Sequence, residues 1–355
     1  MIKSNLSRNI KLSVLVTGGA GFLGKAIVQE LLDARSPLEV SEVRILDSKG
    51  YDGDIDDRLH YLKGDICNYD DICLACKGID IVIHTAAIVD WGTRSEKEVY
   101  NTNFTGTQNV VKACKENKVT MLVFTSSLDA VITGAPLVNI NESQPYPEKH
   151  LNMYCESKCL SEKLVLSENS ESFKTCALRP SDIYGEEDPY QIPPLINMAK
   201  GGFYVRIGNG TAKNQHVYVR NVAWAHVLAV KALAENNPGV PGNAYFITDG
   251  PGYNFFTFFD EIITGSGFKI WPRNMRVPRR LAWFLGAVLE YFALLIRPIK
   301  YYNPRLSRFA VMYTCTDFTF TSEKARRDFG FSPKYSEEEA FKNTVRFFSK
   351  PPKTK

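Results

Sequence analysis

The sequence lacks several features that mark common classes of protein. Its formal net charge is only +4 over 355 residues, and no stripe of basic and aromatic residues indicates a nucleic-acid surface. No apolar stretch near the N-terminus resembles a signal peptide, and no internal repeat is visible. We therefore expect neither a nucleic-acid partner nor a repeat architecture. The length is sufficient for one large core with a smaller lobe.

The cysteines do not have the spacing of a disulfide framework. The eight cysteines are scattered through the chain, as is typical of free thiols in a reducing compartment. Cys73 and Cys76 form one CxxC in a predicted helix without a second pair, so we expect neither zinc nor redox function there. Cys155 and Cys159 are expected to be packing residues. No cluster of histidine, cysteine and carboxylate has the spacing of a metal site, and no metal is predicted.

Long hydrophobic runs are also scarce, with one exception at residues 281–296. A membrane-spanning helix needs about 20 apolar residues, whereas this run is shorter and contains Glu290. Basic residues flank it on both sides: Arg279, Arg280, Arg297 and Lys300. We predict a helix that lies on or partly in a membrane, with membrane lipid as a partner. The alternative is a buried helix of the smaller lobe.

A glycine-rich turn is the most informative feature that the sequence does contain. Residues 17–24 read TGGAGFLG, after an apolar run and before a segment of helical periodicity. Gly18 allows a tight turn, Gly21 lets a pyrophosphate approach the backbone, and Gly24 lets the helix pack closely on the strand. Phe22 and Leu23 begin the helix, whose free N–H groups favour a phosphate. The context predicts a dinucleotide-binding site.

An acidic residue ends the second predicted strand. Asp47 lies 23 residues after Gly24, where a carboxylate can bind the two hydroxyls of the adenine ribose. It should repel the 2′-phosphate of NADP, so we predict NAD as the cofactor. Arg44 points to the other face of the strand and is a poor ligand for that phosphate. The alternative is that Asp47 only begins a turn.

Strand and helix patterns alternate over the first half of the chain. Strands are predicted over residues 12–16, 42–47, 59–62, 79–84, 121–125, 175–178 and 216–219, and helices over 22–32, 69–77, 96–116, from 154 onward, and 222–235. This alternation predicts an α/β fold with a Rossmann-type doubly wound parallel sheet and a smaller C-terminal substrate lobe.

The predicted domain boundaries follow the same pattern. Residues 1–11 are predicted to be a disordered N-terminus, 12–185 an NAD-binding domain, 186–348 a substrate lobe that includes 281–296, and 349–355 a basic tail. Later strands are allowed to return to the main sheet. Ligands of such sheets bind at the carboxyl ends of the strands. Candidate site residues at those ends are Asp65, Ile66, Ala86, Ala87, Ser126, Ser127, Pro180 and Ser181.

A second chemical pattern is Tyr154-Cys155-Glu156-Ser157-Lys158. Tyr154 and Lys158 are four residues apart and share one face of a helix. A nearby ammonium and a nicotinamide cation should both lower the pKa of the phenol, so that Tyr154 can accept a hydroxyl proton while hydride passes to the nicotinamide. Lys158 can also bind the ribose. The hydroxyl of Ser127 can hold the substrate oxygen in line.

Taken together, these patterns resemble the extended short-chain dehydrogenase/reductase superfamily over residues 12 to about 190. Four segments carry that resemblance: 17–24, 125–127, 154–158 and 178–185. Residues 83–90, 217–229, 242–249 and the apolar segment resemble the 3β-hydroxysteroid dehydrogenase/isomerase family more narrowly. With them the resemblance covers nearly the whole chain.

The resemblance implies NAD-dependent oxidation of a 3β-hydroxyl on a steroid or sterol. It makes Ser127 the orienting serine, with Ser126 as the near alternative, Tyr154 the base and Lys158 its partner. It places Asp65 at the adenine and Pro180 and Ser181 beside the nicotinamide. Some family members also move a double bond from C5 to C4, and Asp129 is a candidate acid for that step, although a solvated loop acid is an equal alternative.

Several functions remain open on the sequence alone. The leading prediction is a 3β-hydroxysteroid dehydrogenase, with or without isomerase activity. The first alternative is a decarboxylating sterol-4α-carboxylate 3-dehydrogenase, in which the new 3-ketone activates the neighbouring carboxylate for loss as CO₂. The others are a nucleotide-sugar epimerase or reductase, which would need arginines such as Arg206 and Arg220, and a non-enzymatic NAD(H) sensor. We predict a membrane-associated protein at the endoplasmic reticulum facing the cytosol, with a cytoplasmic location as the alternative, and a possible homodimer.

Overall fold

The computed structural model describes residues 11–53, 55–90, 94–296, 302, 304 and 306–349. Residues 1–10 of the predicted disordered N-terminus and 350–355 of the predicted basic tail lie outside the described residues, as do Arg297 and Lys300. The structure contains one copy of the chain, and the possible homodimer stays a prediction.

The first half of the chain alternates strands and helices. In chain order its elements are β1 (Leu12–Thr17), α1 (Phe22–Leu32), β2 (Val40–Asp47), β3 (Leu59–Lys63), α2 (Tyr69–Ala75), β4 (Ile81–His84), α3 (Glu96–Tyr100), α4 (Gly106–Glu116), β5 (Met121–Thr125), β6 (Leu137–Ile140), α5 (Met153–Ser167), β7 (Lys174–Pro180) and β8 (Asp182–Tyr184). A π-helical turn, Asn101–Thr105, joins α3 to α4, and a 3₁₀ turn, Leu128–Ala130, follows β5.

The second half is richer in helices. Its elements are α6 (Ile192–Lys200), β9 (Arg206–Ile207), β10 (His216–Tyr218), α7 (Val219–Ala234), β11 (Asn243–Ile247), α8 (Phe255–Gly265), β12 (Arg276–Val277), α9 (Arg279–Ile296), α10 (Arg308–Thr314), β13 (Phe318–Phe320), α11 (Glu323–Phe329) and α12 (Glu337–Phe348).

Seven strands form the central sheet, in the order β11-β7-β5-β4-β1-β2-β3, and every pair in it is parallel. The order runs outward in one direction from β1 and in the other from β4, so the crevice between β1 and β4 is the switch point where such sheets bind ligands. The predicted doubly wound parallel sheet is confirmed. Three two-stranded sheets lie beside it: β8 with β10, β9 with β12, and β6 with β13.

The core has one layer on each face of the sheet. Val14 and Val16 of β1 pack in the same cluster as Ile27 of α1, whereas Leu15 packs with Val110 of α4 on the opposite face. This alternation is the two-residue period of a strand, and each fully buried aliphatic side chain contributes roughly 1.5–3 kcal/mol. Helices cover both faces, so the loops at the carboxyl edge are left as the accessible place for chemistry.

One helix differs from the sequence-based expectation, and one later strand returns to the main sheet as that expectation allowed. The helix predicted over 96–116 is interrupted at Asn101–Thr105 because Asn103 turns inward. Its side chain accepts from the Ile88 amide at 2.7 Å and donates to the Ile88 carbonyl at 3.0 Å and to Ser157 Oγ at 3.0 Å. β11 joins the main sheet from beyond residue 185, and the division there stays a prediction.

Helix α9 is unusual because it leaves most of its apolar surface uncovered. Only Ala282 and Gly286 are buried, where a Cβ added at Gly286 would lie 3.0 Å from the Ser307 backbone next to α10. Glu290 accepts from the Arg308 amide at 2.7 Å and pairs with its guanidinium at 2.6 Å. The exposed side chains are Leu281, Trp283, Phe284, Leu285, Val288, Tyr291, Phe292, Leu294 and Leu295. α9 is therefore not the buried helix of the alternative prediction. Within the described part of the chain, no helix is both long and apolar enough to cross a membrane.

Candidate active site

A cavity of about 510 Å³ lies at the carboxyl edge of the central sheet. The structure brings all of the sequence-predicted site residues to its lining. These are Gly18, Gly21, Phe22, Leu23, Gly24, Asp47, Asp65, Ile66, Ala86, Ala87, Ser126, Ser127, Asp129, Tyr154, Lys158, Pro180 and Ser181. Their individual roles stay predictions, but the geometry allows them to act on one bound molecule.

The glycine turn forms a cradle that other side chains would fill. Gly18 has a φ of +73°, and a Cβ there would lie 2.8 Å from the Ala86 backbone. A Cβ at Gly24 would lie 2.1 Å from the Gly18 carbonyl oxygen. Gly21 caps α1 without a side-chain hydrogen bond, so the first N–H groups of α1 are left for a ligand. This cradle fits the pyrophosphate of a dinucleotide.

Asp47 is held in place by the backbone beside that cradle. Its Oδ2 accepts from the Ala20 amide at 3.0 Å, and its Oδ1 accepts from the Lys49 amide at 2.9 Å. A carboxylate fixed in this way at the end of β2 suits a ribose diol. Arg44 donates instead to the carbonyls of Ala75 and Lys77, at 2.8 Å and 2.7 Å, away from the cavity.

The residues predicted to take part in proton transfer lie on α5 and at the end of β5. Asn152 caps α5 by accepting from the Cys155 amide at 2.9 Å, which fixes the first turn that carries Tyr154. Lys158 follows one turn later, and its Nζ donates to the Thr125 carbonyl at 2.8 Å. Burial lowers the pKa of Lys158 to about 8, against the opposing effect of the Asp129 charge. Lys158 lines the same cavity as Tyr154.

Ser127 and Asp129 form a hydrogen-bonded pair. The Ser127 hydroxyl donates to Asp129 Oδ2 at 2.6 Å, and the Asp129 amide donates to Ser127 Oγ at 3.2 Å. Burial raises the pKa of the Asp129 carboxyl, and the Ser127 hydrogen bond lowers it. Asp129 is thus a partly buried cavity residue rather than a solvated loop acid. Ser126 Oγ, by contrast, has no hydrogen-bond partner among the described residues.

The pKa of Tyr154 differs from the sequence-based expectation. Burial raises it well above its ordinary value, the Asp129 charge raises it further, and the Ser127 hydrogen bond lowers it. The expected lowering is wrong for the protein groups alone, because burial disfavours the phenolate and Lys158 bonds to Thr125. The positive nicotinamide ring of NAD is the remaining contribution that can favour the phenolate.

Two buried histidines near the site are held by hydrogen bonds to neighbouring hydroxyls. His84 bonds to the hydroxyls of Thr17 and Thr107 at 2.7 Å and 2.9 Å, and burial lowers its pKa to about 3. His226 bonds to the Thr125 hydroxyl at 2.8 Å, and burial lowers its pKa to about 4. Both rings are therefore neutral at physiological pH. Within the described ranges, no group of histidine, cysteine and acidic residues could hold a metal ion.

Sequence reasoning missed several residues of the cavity lining. These are Asp90, Arg94, Asp182, Tyr190, Gln191, Phe309 and Tyr313. The Tyr313 hydroxyl donates to Asp182 Oδ1 at 2.7 Å across 131 positions of sequence. Asp182 could have been noticed, since it follows Pro180 and Ser181 at a strand end. No sequence pattern pointed to Tyr313.

The cavity combines a glycine turn that fits a dinucleotide with Tyr154, the residue predicted to accept a proton, as expected of an oxidoreductase of the extended short-chain dehydrogenase/reductase class. The sequence profile of the 3-beta hydroxysteroid dehydrogenase/isomerase family matches residues 15–276. The chain belongs to that family. Family membership and the fit of the cradle together make NAD its cofactor.

Curated relatives extend over nearly the whole chain. The sterol-4-alpha-carboxylate 3-dehydrogenase, decarboxylating, of Mus musculus is 32% identical over 350 residues, covering 98% of this chain and 93% of that protein. The 3 beta-hydroxysteroid dehydrogenase type 7 of Homo sapiens is 34% identical over 358 residues, covering 94% and 95%. A decarboxylating sterol-4-alpha-carboxylate 3-dehydrogenase of Schizosaccharomyces pombe is 32% identical and covers 94% and 96%.

Solved structures with the same fold are more distant in sequence. A dTDP-glucose 4,6-dehydratase of Streptomyces venezuelae superposes with a TM-score of 0.73 at 23% identity, covering 95% of this chain and 97% of that one. The UDP-glucose 4-epimerase of Thermotoga maritima gives 0.72 at 20% identity, covering 95% and 98%. At these identities the likeness shows the fold alone.

Proposed function

We propose that the protein oxidises the 3β-hydroxyl of a sterol that carries a 4α-carboxylate, with NAD as the oxidant. The observation that carries this proposal is that Ser127, Tyr154 and Lys158 face the same cavity as the glycine cradle. Bound NAD accepts the hydride from the carbinol carbon. The resulting 3-ketone lies β to the carboxylate, so the carbon–carbon bond can break with loss of CO₂.

Each residue of the site has a distinct task in this reaction. Tyr154 accepts the hydroxyl proton. Ser127 orients the substrate oxygen, and its own hydroxyl is fixed by the 2.6 Å bond to Asp129. Lys158 supplies positive charge near the phenol and can reach the ribose, because its Nζ lies at the Thr125 carbonyl on the cofactor side.

The relatives are named for two substrate classes, sterol 4α-carboxylates and 3β-hydroxysteroids. The mouse and fission-yeast relatives are named as decarboxylating sterol-4-alpha-carboxylate 3-dehydrogenases, and we favour that substrate class. A 3β-hydroxysteroid dehydrogenase with isomerase activity is the second candidate. The partly buried Asp129 beside Ser127 favours it, since a double-bond shift needs an additional acid–base group.

The nucleotide-sugar alternative has little support from the site. It would use Arg206 or Arg220 for a substrate diphosphate. Arg206 pairs with Asp260 at 2.6 Å, and Arg220 lies over the ring of Tyr335 at 5.5 Å. Neither arginine lines the cavity. The intact Ser127, Tyr154 and Lys158 set equally argues against a non-enzymatic NAD(H) sensor.

A substrate comparison tests the proposal. Purified protein with NAD is given a 4α-carboxysterol, the same sterol without the carboxylate, or a Δ5-3β-hydroxysteroid, and NADH and CO₂ are measured together. We expect equal amounts of NADH and CO₂ from the first substrate at the highest kcat/KM. Preference for the hydroxysteroid, with a Δ4-3-ketone product, would support the second candidate instead. No NADH from any of the three would refute a sterol dehydrogenase.

We also propose that α9 attaches the protein to a membrane surface, the location predicted being the endoplasmic reticulum. Phe284, Tyr291 and Leu295 are 60%, 66% and 62% exposed, and Arg279 and Arg280 begin the helix. An exposed apolar helix with basic residues at its end suits an anionic bilayer surface. Because α9 packs on α10, whose Phe309 and Tyr313 line the cavity, a sterol in the bilayer would be close to the site.

Charge substitution on this helix tests the membrane proposal. Phe284→Glu combined with Tyr291→Glu should release the protein from liposomes that contain anionic lipid, as measured by flotation. Val138→Glu is a matched control, because Val138 is an apolar residue of similar exposure, 63%, that lies on β6 and not on α9. A wild-type protein that stays unbound in the flotation assay would contradict the proposal.

A further inference from the structure

Arg94 is a positively charged residue of the cavity lining that has no predicted part in cofactor binding or proton transfer. It directly precedes Ser95, the N-cap of α3, and its amide donates to Asp90 Oδ1 at 3.0 Å. Its side chain is 48% exposed, so a bound molecule can reach the guanidinium. The lining therefore contains an accessible cation.

Neighbouring elements connect Arg94 to the predicted proton acceptor. α3 packs against α5, and Asn103, just beyond α3, donates to the hydroxyl of Ser157, three residues after Tyr154. Tyr190 is a further residue of the same lining. Burial raises the pKa of both phenols, the Arg94 charge opposes this effect at Tyr190, and the Tyr190 charge adds to it at Tyr154. Tyr190 is therefore within electrostatic reach of both residues.

A sterol 4α-carboxylate would bring a negative charge into this cavity. Acids that already line it are disfavoured as anions, because burial raises the pKa of Asp129 and that of Asp182 to about 8. A substrate carboxylate without a cationic partner would meet the same desolvation cost. A guanidinium suits this role, because its planar fork of N–H groups matches the two oxygens of a carboxylate.

The other cations of the lining have different contacts. Among the described residues that line the cavity, three carry a positive charge: Lys49, Arg94 and Lys158. Lys158 Nζ donates to the Thr125 carbonyl at 2.8 Å. Lys49 lies two residues after Asp47, which accepts from its amide at 2.9 Å, and so belongs to the predicted ribose site. Arg94 is the cation that remains for a negatively charged substrate.

The ion pair that Arg94 makes within the protein is a weak competitor for such a substrate. Its Nη1 lies 3.0 Å from Oε1 of Glu98, one helical turn later, and the Glu98 side chain is 51% exposed. Exposed pairs of this kind contribute little, because water screens both charges. A guanidinium has five N–H donors, so a hydrogen bond to Glu98 is compatible with a pair to a second carboxylate.

We propose that Arg94 binds the 4α-carboxylate of the substrate and so selects carboxysterols over sterols that lack this group. This inference rests on the proposed function. The carboxylate is still intact during hydride transfer, so the interaction is made when the substrate binds and is kept through the oxidation step. It stabilises the bound substrate and the transition state of oxidation equally, and therefore lowers KM without changing kcat.

Two sterols that differ only at C4 test this assignment, one with a 4α-carboxylate and one with a 4α-methyl group. The kcat and KM of each are measured with saturating NAD by NADH absorbance. If the methylsterol is not oxidised, its inhibition constant against the carboxysterol replaces its KM. For Arg94→Met we expect KM for the carboxysterol to rise about tenfold or more, the usual effect of losing a hydrogen bond between charged groups. Its kcat and the constants for the methylsterol should stay unchanged.

Two further variants separate substrate binding from a structural role. Glu98→Gln is the matched control, because it breaks the same ion pair while the guanidinium remains. It should not raise KM for the carboxysterol. Arg94→Lys keeps the charge but lacks the planar fork, so its KM for the carboxysterol should lie between those of wild type and Arg94→Met.

The proposed function and the role of Arg94 fail in distinguishable ways. If the wild type forms no NADH from the carboxysterol, the proposed function is wrong and this inference falls with it. If NADH forms but Arg94→Met leaves KM unchanged, or weakens both sterols equally, only the role of Arg94 is overturned. An equal rise in KM in Glu98→Gln would likewise overturn it. Should Arg94→Met fail to fold, Arg94→Lys decides the question by the same comparison.

Discussion

The cofactor end of the cavity is formed mainly by backbone atoms, whereas the substrate end is formed by side chains. At the cofactor end, the backbone of the segment 18–24 shapes the cradle, because Gly18 and Gly24 lie too close to their neighbours to carry a Cβ. At the substrate end, side chains from distant segments meet, such as Asp182 and Tyr313. A backbone site is altered by almost any substitution within it. A side-chain site can change its specificity through one residue while the fold stays the same.

This contrast predicts that substitutions at the junction of the two ends have the largest effect on turnover. Tyr154→Phe keeps the ring and its packing but removes the atom that accepts the proton. We expect kcat to fall by roughly 10²–10⁴, with NAD affinity retained because the cradle is untouched. Stopped-flow NADH absorbance and NAD titration measure the two quantities. A folded variant with near-native turnover would contradict the role of Tyr154.

A comparison of two glycines sharpens the account of the cofactor end. Gly18 and Gly78 have similar φ values of +73° and +71°, but a Cβ at Gly78 meets nothing within 4 Å. Gly78→Ala should lose about 1 kcal/mol of stability through backbone strain, and Gly18→Ala should lose more because its Cβ would also lie 2.8 Å from the Ala86 backbone. Only Gly18→Ala should also weaken NAD binding, at least tenfold, which corresponds to about 1.4 kcal/mol. Equal NAD affinity in the two variants would show that the cradle is not the nucleotide site.

The preference for NAD over NADP tests the role of Asp47 at the cofactor end. The wild type should prefer NAD over NADP at least tenfold in kcat/KM, or about 1.4 kcal/mol, because the fixed carboxylate repels a 2′-phosphate. Asp47→Ala combined with Ser48→Arg should shift the preference toward NADP. Equal efficiency of the wild-type protein with both cofactors would remove the basis for this assignment.

The pH dependence of stability tests the substrate end. The pKa of Asp182 is raised from 3.8 to about 8, so the folded state binds more protons than the unfolded state between those values. Its contribution to stability is complete below that window and is lost as pH rises through it. Asp182→Asn lacks this loss, so its stability relative to wild type should rise between about pH 5 and pH 8 in urea titrations.

The groups that face Asp182 are Tyr313, His216, Asp129 and Asp188, and none of them supplies a positive charge at neutral pH. The opposite trend in the urea titrations, with Asp182→Asn losing stability relative to wild type as pH rises, would mean that the native carboxyl group is ionised and paired.

The cofactor end could be predicted from sequence because its elements are local. Gly18, Gly21 and Gly24 lie within one turn and one helix, and Tyr154 and Lys158 lie one helical turn apart. Asp47 followed from its distance to the turn. These relations depend on chain spacing alone, and the structure brings all of these residues to one cavity.

The features that sequence reasoning did not predict depend on tertiary packing. The contact of Asp182 with Tyr313 exists only because the chain returns through α10 to the cavity, 131 positions later. The raised pKa of Tyr154 reflects burial, which spacing does not specify. The π-helical turn at Asn103 likewise follows from its bonds to Ile88 and Ser157, which are partners distant in sequence.

The most direct test of the central claim follows the hydride itself. A 4α-carboxysterol labelled with deuterium on the carbinol carbon is turned over once by excess enzyme with NAD, and the nicotinamide is analysed by mass spectrometry. The account predicts that one deuterium per turnover appears in NADH, because the cradle and Tyr154 face the same cavity. Release of the label to water, or NAD that stays unlabelled while sterol is consumed, would contradict it.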